Sequence, residues 1–134
     1  MPAYPGVSNL TSVMKILVVD DSAMMRSVIK STLASYGSGK QIEVVEAVNG
    51  QEALDKLASE SIDLVLLDWQ MPVVDGLSFV KQVRGSGKDV PIVMVTSVTD
   101  KEKVLEAGKA GVNTYIEKPV RGSVLWENIQ EFLH

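Results

Sequence analysis

Two short apolar runs, each followed directly by aspartate, constrain the fold of this 134-residue chain more than any other feature. Residues 16–19 read ILVV and precede Asp20 and Asp21, and residues 64–67 read LVLL and precede Asp68. Short, uniformly apolar runs of this kind are typical of strands in a parallel sheet that helices cover on both faces. Aspartates placed where such strands end would lie at the carboxyl edge of the sheet, where open α/β folds bind ligands.

The three aspartate carboxylates would converge if the two strands are neighbours in the sheet. Two unit charges about 4 Å apart at an effective dielectric constant of about 20 repel each other by roughly 4 kcal/mol. Such a cluster must therefore either bind protons or hold a cation. Oxygen ligands of this kind favour a hard divalent ion, of which Mg²⁺ is the simplest choice, with Mn²⁺ as a substitute.

Strand-like and helix-like segments alternate five times along the chain from Met14 onward. Strands are predicted over residues 15–19, 42–47, 63–68, 91–96 and 113–117. Helices are predicted over residues 22–36, 49–58, 76–85 and 100–110, and after residue 119, with the Asp75-Gly76 pair interpreted as a structural turn. Five such units predict a doubly wound α/β fold, a flavodoxin-like (βα)5 parallel sheet with strand order 2-1-3-4-5. In that order the first and third strands are neighbours.

Composition and charge exclude several classes of protein. A hydrophobic content of 46% in 134 residues suits one compact domain, and a net charge of −4 argues against a nucleic-acid surface, which needs clustered lysine and arginine. No stretch of the sequence approaches the roughly 20 apolar residues of a membrane span. The chain has no cysteine, and its only histidine is the terminal His134, interpreted as a solvated chain end. Disulfides, thiolate chemistry and histidine-based catalysis are therefore not expected.

Residues 1–13 are rich in proline, glycine, serine and asparagine, and they lack both the positive and the apolar segments of a signal peptide. We interpret them as a flexible leader, or as an over-called start for which Met14 is the internal initiator. The domain is predicted to span residues 14–134, with no output domain after it. The expected location is the cytoplasm, and the expected state is a monomer.

Four short motifs stand at the predicted ends of the first, third, fourth and fifth strands. They read VVDDS at residues 18–22, LDWQMP at 67–72, VTS at 95–97 and EKP at 117–119. In this order and at these places, the motifs resemble the receiver domain of two-component response regulators over residues 14–134. Within that family, the chain is most similar to the single-domain chemotaxis (CheY-like) regulators.

The resemblance implies that Asp68 is the phosphoacceptor, which takes a phosphoryl group from the phosphohistidine of a sensor histidine kinase. It also implies that Asp20, Asp21 and Asp68 hold an essential Mg²⁺ together with the backbone carbonyl of Gln70. A carboxylate can accept a phosphoryl group as an aspartyl phosphate. The implied protein is a phosphoacceptor that assists its own phosphorylation and slow dephosphorylation, rather than an enzyme.

Thr96 and Lys118 are implied to contact the phosphoryl group, Thr96 through a hydrogen bond and Lys118 through an ion pair. Phosphoryl transfer depends on positioning and charge neutralisation, because negative charge spreads over three oxygens in the transition state. A hydroxyl from Thr96 or Ser97, the lysine ammonium and one metal ion would serve those three oxygens. The resemblance further implies a cis peptide bond between Lys118 and Pro119.

Three of the four motifs also have a purely structural alternative. Asp20, Asp21 and Ser22 are competing N-caps for the first helix, since all three residue types cap helices well. Thr96-Ser97 could be a turn that ends a strand, and Lys118-Pro119 a loop that enters a helix.

Two aromatic residues suggest how a signal could leave the site. Tyr115 lies on the predicted edge strand where the family carries a switching aromatic, so the resemblance implies that Thr96 moves toward the phosphoryl group and Tyr115 turns inward. Trp126 lies at the margin of the apolar stripe of the last helix, either on a partner surface shared with Tyr115 or in simple rim packing. The implied partner is a flagellar switch component. The alternatives are a phosphorelay carrier that passes phosphate to a histidine phosphotransfer protein, and a receiver domain cut from a longer regulator.

Two departures from the chemotaxis pattern leave the lifetime of an aspartyl phosphate open. Gln70 stands where the chemotaxis proteins usually carry asparagine, and Val98 stands where they often carry glutamate. Neither residue offers a carboxylate, which argues against a haloacid-dehalogenase-type phosphatase with an Asp-x-Asp nucleophile motif. A flavodoxin-like flavin binder is also disfavoured, because Asp20 and Asp21 would repel the flavin phosphate.

Overall fold

The computed structural model describes residues 13–133, which form five strands alternating with five helices. The strands are β1 (Met14–Val19), β2 (Ile42–Ala47), β3 (Leu64–Leu67), β4 (Ile92–Thr96) and β5 (Thr114–Glu117). The helices are α1 (Ala23–Tyr36), α2 (Gly50–Ser59), α3 (Gly76–Gly85), α4 (Lys101–Ala110) and α5 (Gly122–Ile129), with a 3₁₀ turn at Gln130–Phe132. Residues 1–12 of the predicted leader and the predicted chain end at His134 lie outside the described residues.

The five strands form one parallel sheet in the order β2-β1-β3-β4-β5, which confirms the predicted fold class. Strands β1 and β3 are neighbours, and their register pairs Ile16 with Leu64 and Val19 with Leu67. The residues that follow the two strands, Asp20 and Asp68, therefore stand side by side at the carboxyl edge. This adjacency is the step that brings the acidic motifs together.

Two hydrophobic clusters lie on opposite faces of the sheet, because successive side chains of a strand point to opposite sides. Ile16 and Val18 of β1 belong to the cluster that α1 and α5 cover. Leu17 and Val19 belong to the cluster on the side of α2, α3 and α4. Both faces of the central strands are thus buried, which explains their uninterrupted apolar sequence.

Four of the helices have a polar side chain as their N-cap. Ser22, Asn49, Asp75 and Asp100 each accept a hydrogen bond from a backbone N–H in the first turn of α1, α2, α3 and α4, respectively. Such caps satisfy N–H groups that have no partner within the helix. Among the three competing candidates for α1, Ser22 is the cap, which leaves Asp20 and Asp21 available for other contacts. Between residues 13 and 133, no helix is long and apolar enough to cross a membrane.

Candidate metal site at the carboxyl edge of the sheet

Three carboxylates meet at the carboxyl edge of β1 and β3. One oxygen from each of Asp20, Asp21 and Asp68 lies within 4.8 Å of the other two. Asp20 and Asp68 are buried, with 2% and 8% of their surface exposed, whereas Asp21 is exposed. An all-oxygen donor set with one open side suits a hard cation such as Mg²⁺, which usually keeps several of its waters.

Every polar group of Asp20 has a partner. Its N–H donates to the carbonyl of Ala47 at 3.2 Å, and its own carbonyl accepts from Nη1 of Arg26 at 2.8 Å. Its carboxylate oxygens accept from the N–H of Ser22 at 2.9 Å and from Nζ of Lys118 at 2.8 Å. These contacts hold the side chain of Asp20 in one orientation, since rotating it would break both carboxylate hydrogen bonds.

Lys118 bridges the two buried acids. Its Nζ lies 2.8 Å from Oδ2 of Asp20 and 3.0 Å from Oδ2 of Asp68. Burial alone lowers the pKa of Lys118, but the hydrogen bonds and charges of the two aspartates outweigh it and raise the pKa above its ordinary value. Three carboxylates and one ammonium leave a formal charge of −2, which a single divalent ion would neutralise. The residues present thus fit a divalent cation in charge as well as in donor type.

The backbone around Lys118 fixes its approach to the acids. Its N–H donates to the carbonyl of Thr96 at 2.9 Å, which ties the end of β5 to the end of β4. The peptide bond between Lys118 and Pro119 is cis, as the resemblance implied. Thr96 itself is fully buried, whereas Ser97 is exposed. Of the two candidate hydroxyls, the one at residue 96 is therefore the one held inside the fold.

Tyr115 is connected to the loop that follows Thr96. Its hydroxyl donates to the carbonyl of Val98, and the N–H of Val98 donates to Oγ1 of Thr96 at 3.3 Å. Burial raises the pKa of Tyr115, and the negative charge of Asp68 adds to the shift. A continuous set of contacts therefore links the edge strand β5 to Thr96.

Trp126 is half-buried beside the α1 and α5 side of the sheet. Its ring stacks on Tyr36 at the end of α1, with centroids 6.5 Å apart and ring planes 27° apart. It packs against the hydrophobic cluster on the α1 and α5 side, whereas Tyr115 packs against the cluster on the opposite side. The two aromatic residues thus pack on different faces of the sheet, and the partner surface predicted to include both stays a prediction.

Gly76, interpreted from the sequence as part of a turn, packs directly against the acidic site. Its N–H donates to the carbonyl of Trp69 at 2.7 Å. A Cβ atom at this position would lie 2.3 Å from the carbonyl oxygen of Asp68 and 2.7 Å from Cα of Trp69. Only glycine allows α3 to begin this close to the strand end that carries Asp68. Gln70, whose carbonyl was implied as a metal ligand, is exposed in the same β3–α3 loop.

We expect Gly76→Ala to lower the free energy of unfolding by about 1–3 kcal/mol, because the added methyl group overlaps the backbone at Asp68. Urea unfolding, followed by circular dichroism, measures this loss. Gly85→Ala is the matched control at the other end of α3, where an added Cβ meets nothing within 4 Å. It should leave stability unchanged or raise it by up to about 1 kcal/mol. Equal stability of Gly76→Ala and the parent would contradict the close contact.

Sequence reasoning missed Gly76 and Arg26 as parts of the site. The Asp75-Gly76 pair signals a turn but not the strand that the turn packs against. Arg26 gives a weaker signal, a cation one turn into the helix that follows the acids, and only its reach in three dimensions reveals the contact with Asp20.

An open α/β sheet with an acidic cluster and a paired lysine at its carboxyl edge defines a class of protein whose members include receiver domains. The family model for the response regulator receiver domain matches residues 16–130, and the chain belongs to that family. This confirms the resemblance on which the site residues were first proposed. Receiver domains bind Mg²⁺ through a cluster of acidic residues, and Asp20, Asp21 and Asp68 form such a cluster here.

Chemotaxis proteins are among the relatives. The chain is 46% identical over 123 residues to the chemotaxis protein CheY homolog of Campylobacter jejuni, which covers 90% of this chain and 92% of the relative. It is 45% identical to chemotaxis protein CheY1 of Helicobacter pylori, over 90% of this chain and 97% of the relative. The solved structure of CheY4 from Vibrio cholerae is 35% identical and superposes with a TM-score of 0.81, covering 91% of this chain and all of the other.

Proposed function

We propose that this protein is a phosphorylation-activated switch in chemotaxis, in which Asp68 receives a phosphoryl group from a sensor histidine kinase. The observation that carries the proposal is the bridge from Nζ of Lys118 to both buried acids. A cation held between two carboxylates, at the site where a third converges, is suited to neutralising added negative charge. The proposal agrees with membership of the receiver family and with chemotaxis proteins among the relatives.

In the proposed transfer, a carboxylate oxygen of Asp68 attacks the phosphorus atom of a phosphohistidine. A P–O bond forms as the P–N bond breaks, and the departing imidazole nitrogen keeps the bonding pair and takes a proton from water. Lys118 holds Asp68 in one orientation for this attack, which is the positioning that phosphoryl transfer requires. No separate substrate is turned over, so Asp68 acts as an acceptor and not as the catalyst of a multiple-turnover reaction.

The proposed metal ligands are the carboxylates of Asp20, Asp21 and Asp68 and the backbone carbonyl of Gln70. A bound Mg²⁺ supplies positive charge that offsets the repulsion between the carboxylates and the phosphoryl oxygens. Asp20 is already oriented by its hydrogen bonds, and Asp21 is exposed to solvent. An ion would therefore enter from the side of Asp21.

The proposed response uses Thr96, Lys118 and Tyr115. A phosphoryl group on Asp68 would accept a hydrogen bond from the hydroxyl of Thr96 and pair with the ammonium of Lys118. It can shift the protein only by binding one of two packings more strongly than the other. The hydroxyl of Tyr115 is hydrogen-bonded to the carbonyl of Val98, and the N–H of Val98 is hydrogen-bonded to the hydroxyl of Thr96. A movement of Thr96 would therefore change the surroundings of Tyr115.

The proposed downstream partner is a flagellar switch component, since the relatives named above are chemotaxis proteins. A phosphorelay role, with a histidine phosphotransfer protein as the recipient, is the second candidate within the same family.

We expect millimolar Mg²⁺ to change the fluorescence of Trp69, which is buried beside Asp68. The measurement uses a Trp126→Phe background at constant ionic strength, because phenylalanine preserves an aromatic contact with Tyr36. Asp21→Asn in that background is the control, since it removes one exposed carboxylate and should weaken Mg²⁺ binding about tenfold or more. An emission spectrum that Mg²⁺ leaves unchanged, or an equal response in both proteins, would count against the metal site.

A further inference from the structure

The side chain of Arg26, in α1, is mostly buried and lies close to the acidic site. Only 14% of its side chain is exposed. Its Nη1 donates to the carbonyl of Asp20 at 2.8 Å, and its Nε donates to Oε1 of Glu46 at 3.0 Å. A charged side chain is rarely buried unless it is paired, and here the two contacts lie on different elements.

Glu46, the anionic partner of Arg26, lies on β2 beside the end of β1. The strand register pairs it with Val18, two residues before Asp20. Lys30 also donates to Glu46, from Nζ to Oε2 at 3.2 Å. The hydrogen bonds from Lys30 and Arg26 hold the pKa of Glu46 below its ordinary value. Glu46 therefore remains an anion that can fix the guanidinium in place.

Through these contacts, Arg26 fastens the turn that carries the two leading acids. Its guanidinium connects α1 to the carbonyl of Asp20 at the start of the β1–α1 turn and to β2 alongside. The turn is otherwise held to its surroundings by the N–H of Asp20 and by the contacts of its carboxylate. Losing the guanidinium would leave that carbonyl without its charged donor and let the turn shift.

We propose that Arg26, held by Glu46, is a positioning residue for the metal site, because it fixes the turn from which Asp20 and Asp21 present their carboxylates. The inference rests on the proposed function, because it requires that Asp20, Asp21 and Asp68 bind Mg²⁺. This ion demands near-ideal octahedral geometry, so a loosened turn would weaken binding. Arg26 does not touch the ion site itself and acts through the backbone of Asp20.

The direction of the effect separates this role from a simple effect of charge. Arg26 is a cation near the acids, so by charge alone its removal would strengthen Mg²⁺ binding. By positioning, its removal weakens Mg²⁺ binding. Arg26→Lys keeps the charge but cannot make both contacts with one compact ammonium group. Charge alone predicts no change in this variant, whereas positioning predicts weaker binding.

The test is a Mg²⁺ titration of Trp69 fluorescence in the Trp126→Phe background, with thermal unfolding in EDTA measured on the same proteins. Arg26→Lys and Arg26→Gln should each bind Mg²⁺ about tenfold more weakly than the parent. Lys30→Gln is the matched control, because Lys30 contacts the same glutamate but no part of the turn. It should bind Mg²⁺ as the parent does. Adding Glu46→Gln to Arg26→Gln should weaken binding little further, since the two residues act as one unit.

Parent-like or tighter Mg²⁺ binding by Arg26→Lys and Arg26→Gln would overturn the inference. If these variants also unfold at a lower temperature in EDTA, the role of Arg26 is purely structural, and the inference is overturned in that case too. If Arg26→Gln fails to fold, Glu46→Gln alone supplies the decision, and parent-like Mg²⁺ binding by that variant overturns the inference. A parent protein with no response to Mg²⁺ would overturn the proposed function and this inference with it. A responsive parent with unaffected variants overturns the inference alone.

Discussion

Replacing Asp68 by asparagine will abolish phosphorylation of this protein by acetyl phosphate and Mg²⁺. An amide oxygen is a far weaker nucleophile than a carboxylate, so no aspartyl phosphate can form at this position. The neighbouring acids are not expected to substitute for Asp68. Both carboxylate oxygens of Asp20 already accept hydrogen bonds, from Ser22 and Lys118, and the side chain is fixed between them. Intact-mass analysis should show one added phosphoryl group in the parent and none in Asp68→Asn.

Asp75→Asn is the matched control for this measurement. Asp75 lies in the same loop as Asp68 but caps α3 instead of joining the acidic cluster, and asparagine caps helices as well as aspartate does. The control should therefore be labelled like the parent. Equal labelling of the parent and Asp68→Asn, or a label that moves to another residue in Asp68→Asn, would refute the assignment of the acceptor.

Replacing Lys118 by alanine should uncouple phosphorylation from partner affinity. The ammonium is hydrogen-bonded to both buried acids and is the proposed partner of the phosphoryl group. A hydrogen bond to a charged group contributes about 1.5–3 kcal/mol, which corresponds to roughly a ten- to hundredfold change in an equilibrium constant. The gain in affinity on phosphorylation should fall by a factor of this order. Anisotropy titrations with a labelled flagellar switch peptide, and in parallel with a histidine phosphotransfer domain, measure the gain and identify the partner class.

The same variant makes an independent prediction about the metal. Removing the ammonium leaves Asp20 and Asp68 without the cation paired with them, so Lys118→Ala should bind Mg²⁺ at least as tightly as the parent does. Lys103→Ala is the control, because Lys103 lies 5.8 Å above the ring of Trp69 but is not among the cations paired with the acids. It should keep both the Mg²⁺ affinity and the response to phosphorylation. A fully responsive Lys118→Ala, or one that binds Mg²⁺ more weakly, would contradict the role given to this lysine.

Local sequence determines much of this fold. The apolar runs of β1 and β3 are explained by burial on both faces, and the cap residues Asn49 and Asp100 stand where the predicted helices begin. The alternating βα units predict a doubly wound parallel sheet, and the flavodoxin-like strand order places Asp20 next to Asp68. The acidic part of the site was therefore accessible from pattern and topology alone.

Contacts between residues that are distant in the sequence were not accessible in this way. The bridge from Lys118 to Asp20 depends on how far a flexible side chain reaches across the sheet edge. The stack of Trp126 on Tyr36 depends on how α5 lies against α1. Val73 is a further case, because it adopts a left-handed φ of 68° that β-branched residues rarely take. The N–H of Val74 donates to the carbonyl of Pro72 at 2.8 Å, which closes a tight turn around Val73 that the sequence did not predict.

The close contact between Gly76 and the backbone of Asp68 gives the proposed switch a direction. Two elements hold the backbone of Asp68. Its N–H donates a hydrogen bond to the carbonyl of Val19, and its carbonyl packs against Gly76, the first residue of α3. The backbone of the proposed acceptor is therefore packed closely against β1 and the start of α3. We therefore expect a phosphoryl group on Asp68 to act at the ends of β4 and β5, where hydrogen bonds rather than packed backbone connect Thr96 to Tyr115. The proposed switch would then signal toward the β5 edge of the sheet and not toward β2.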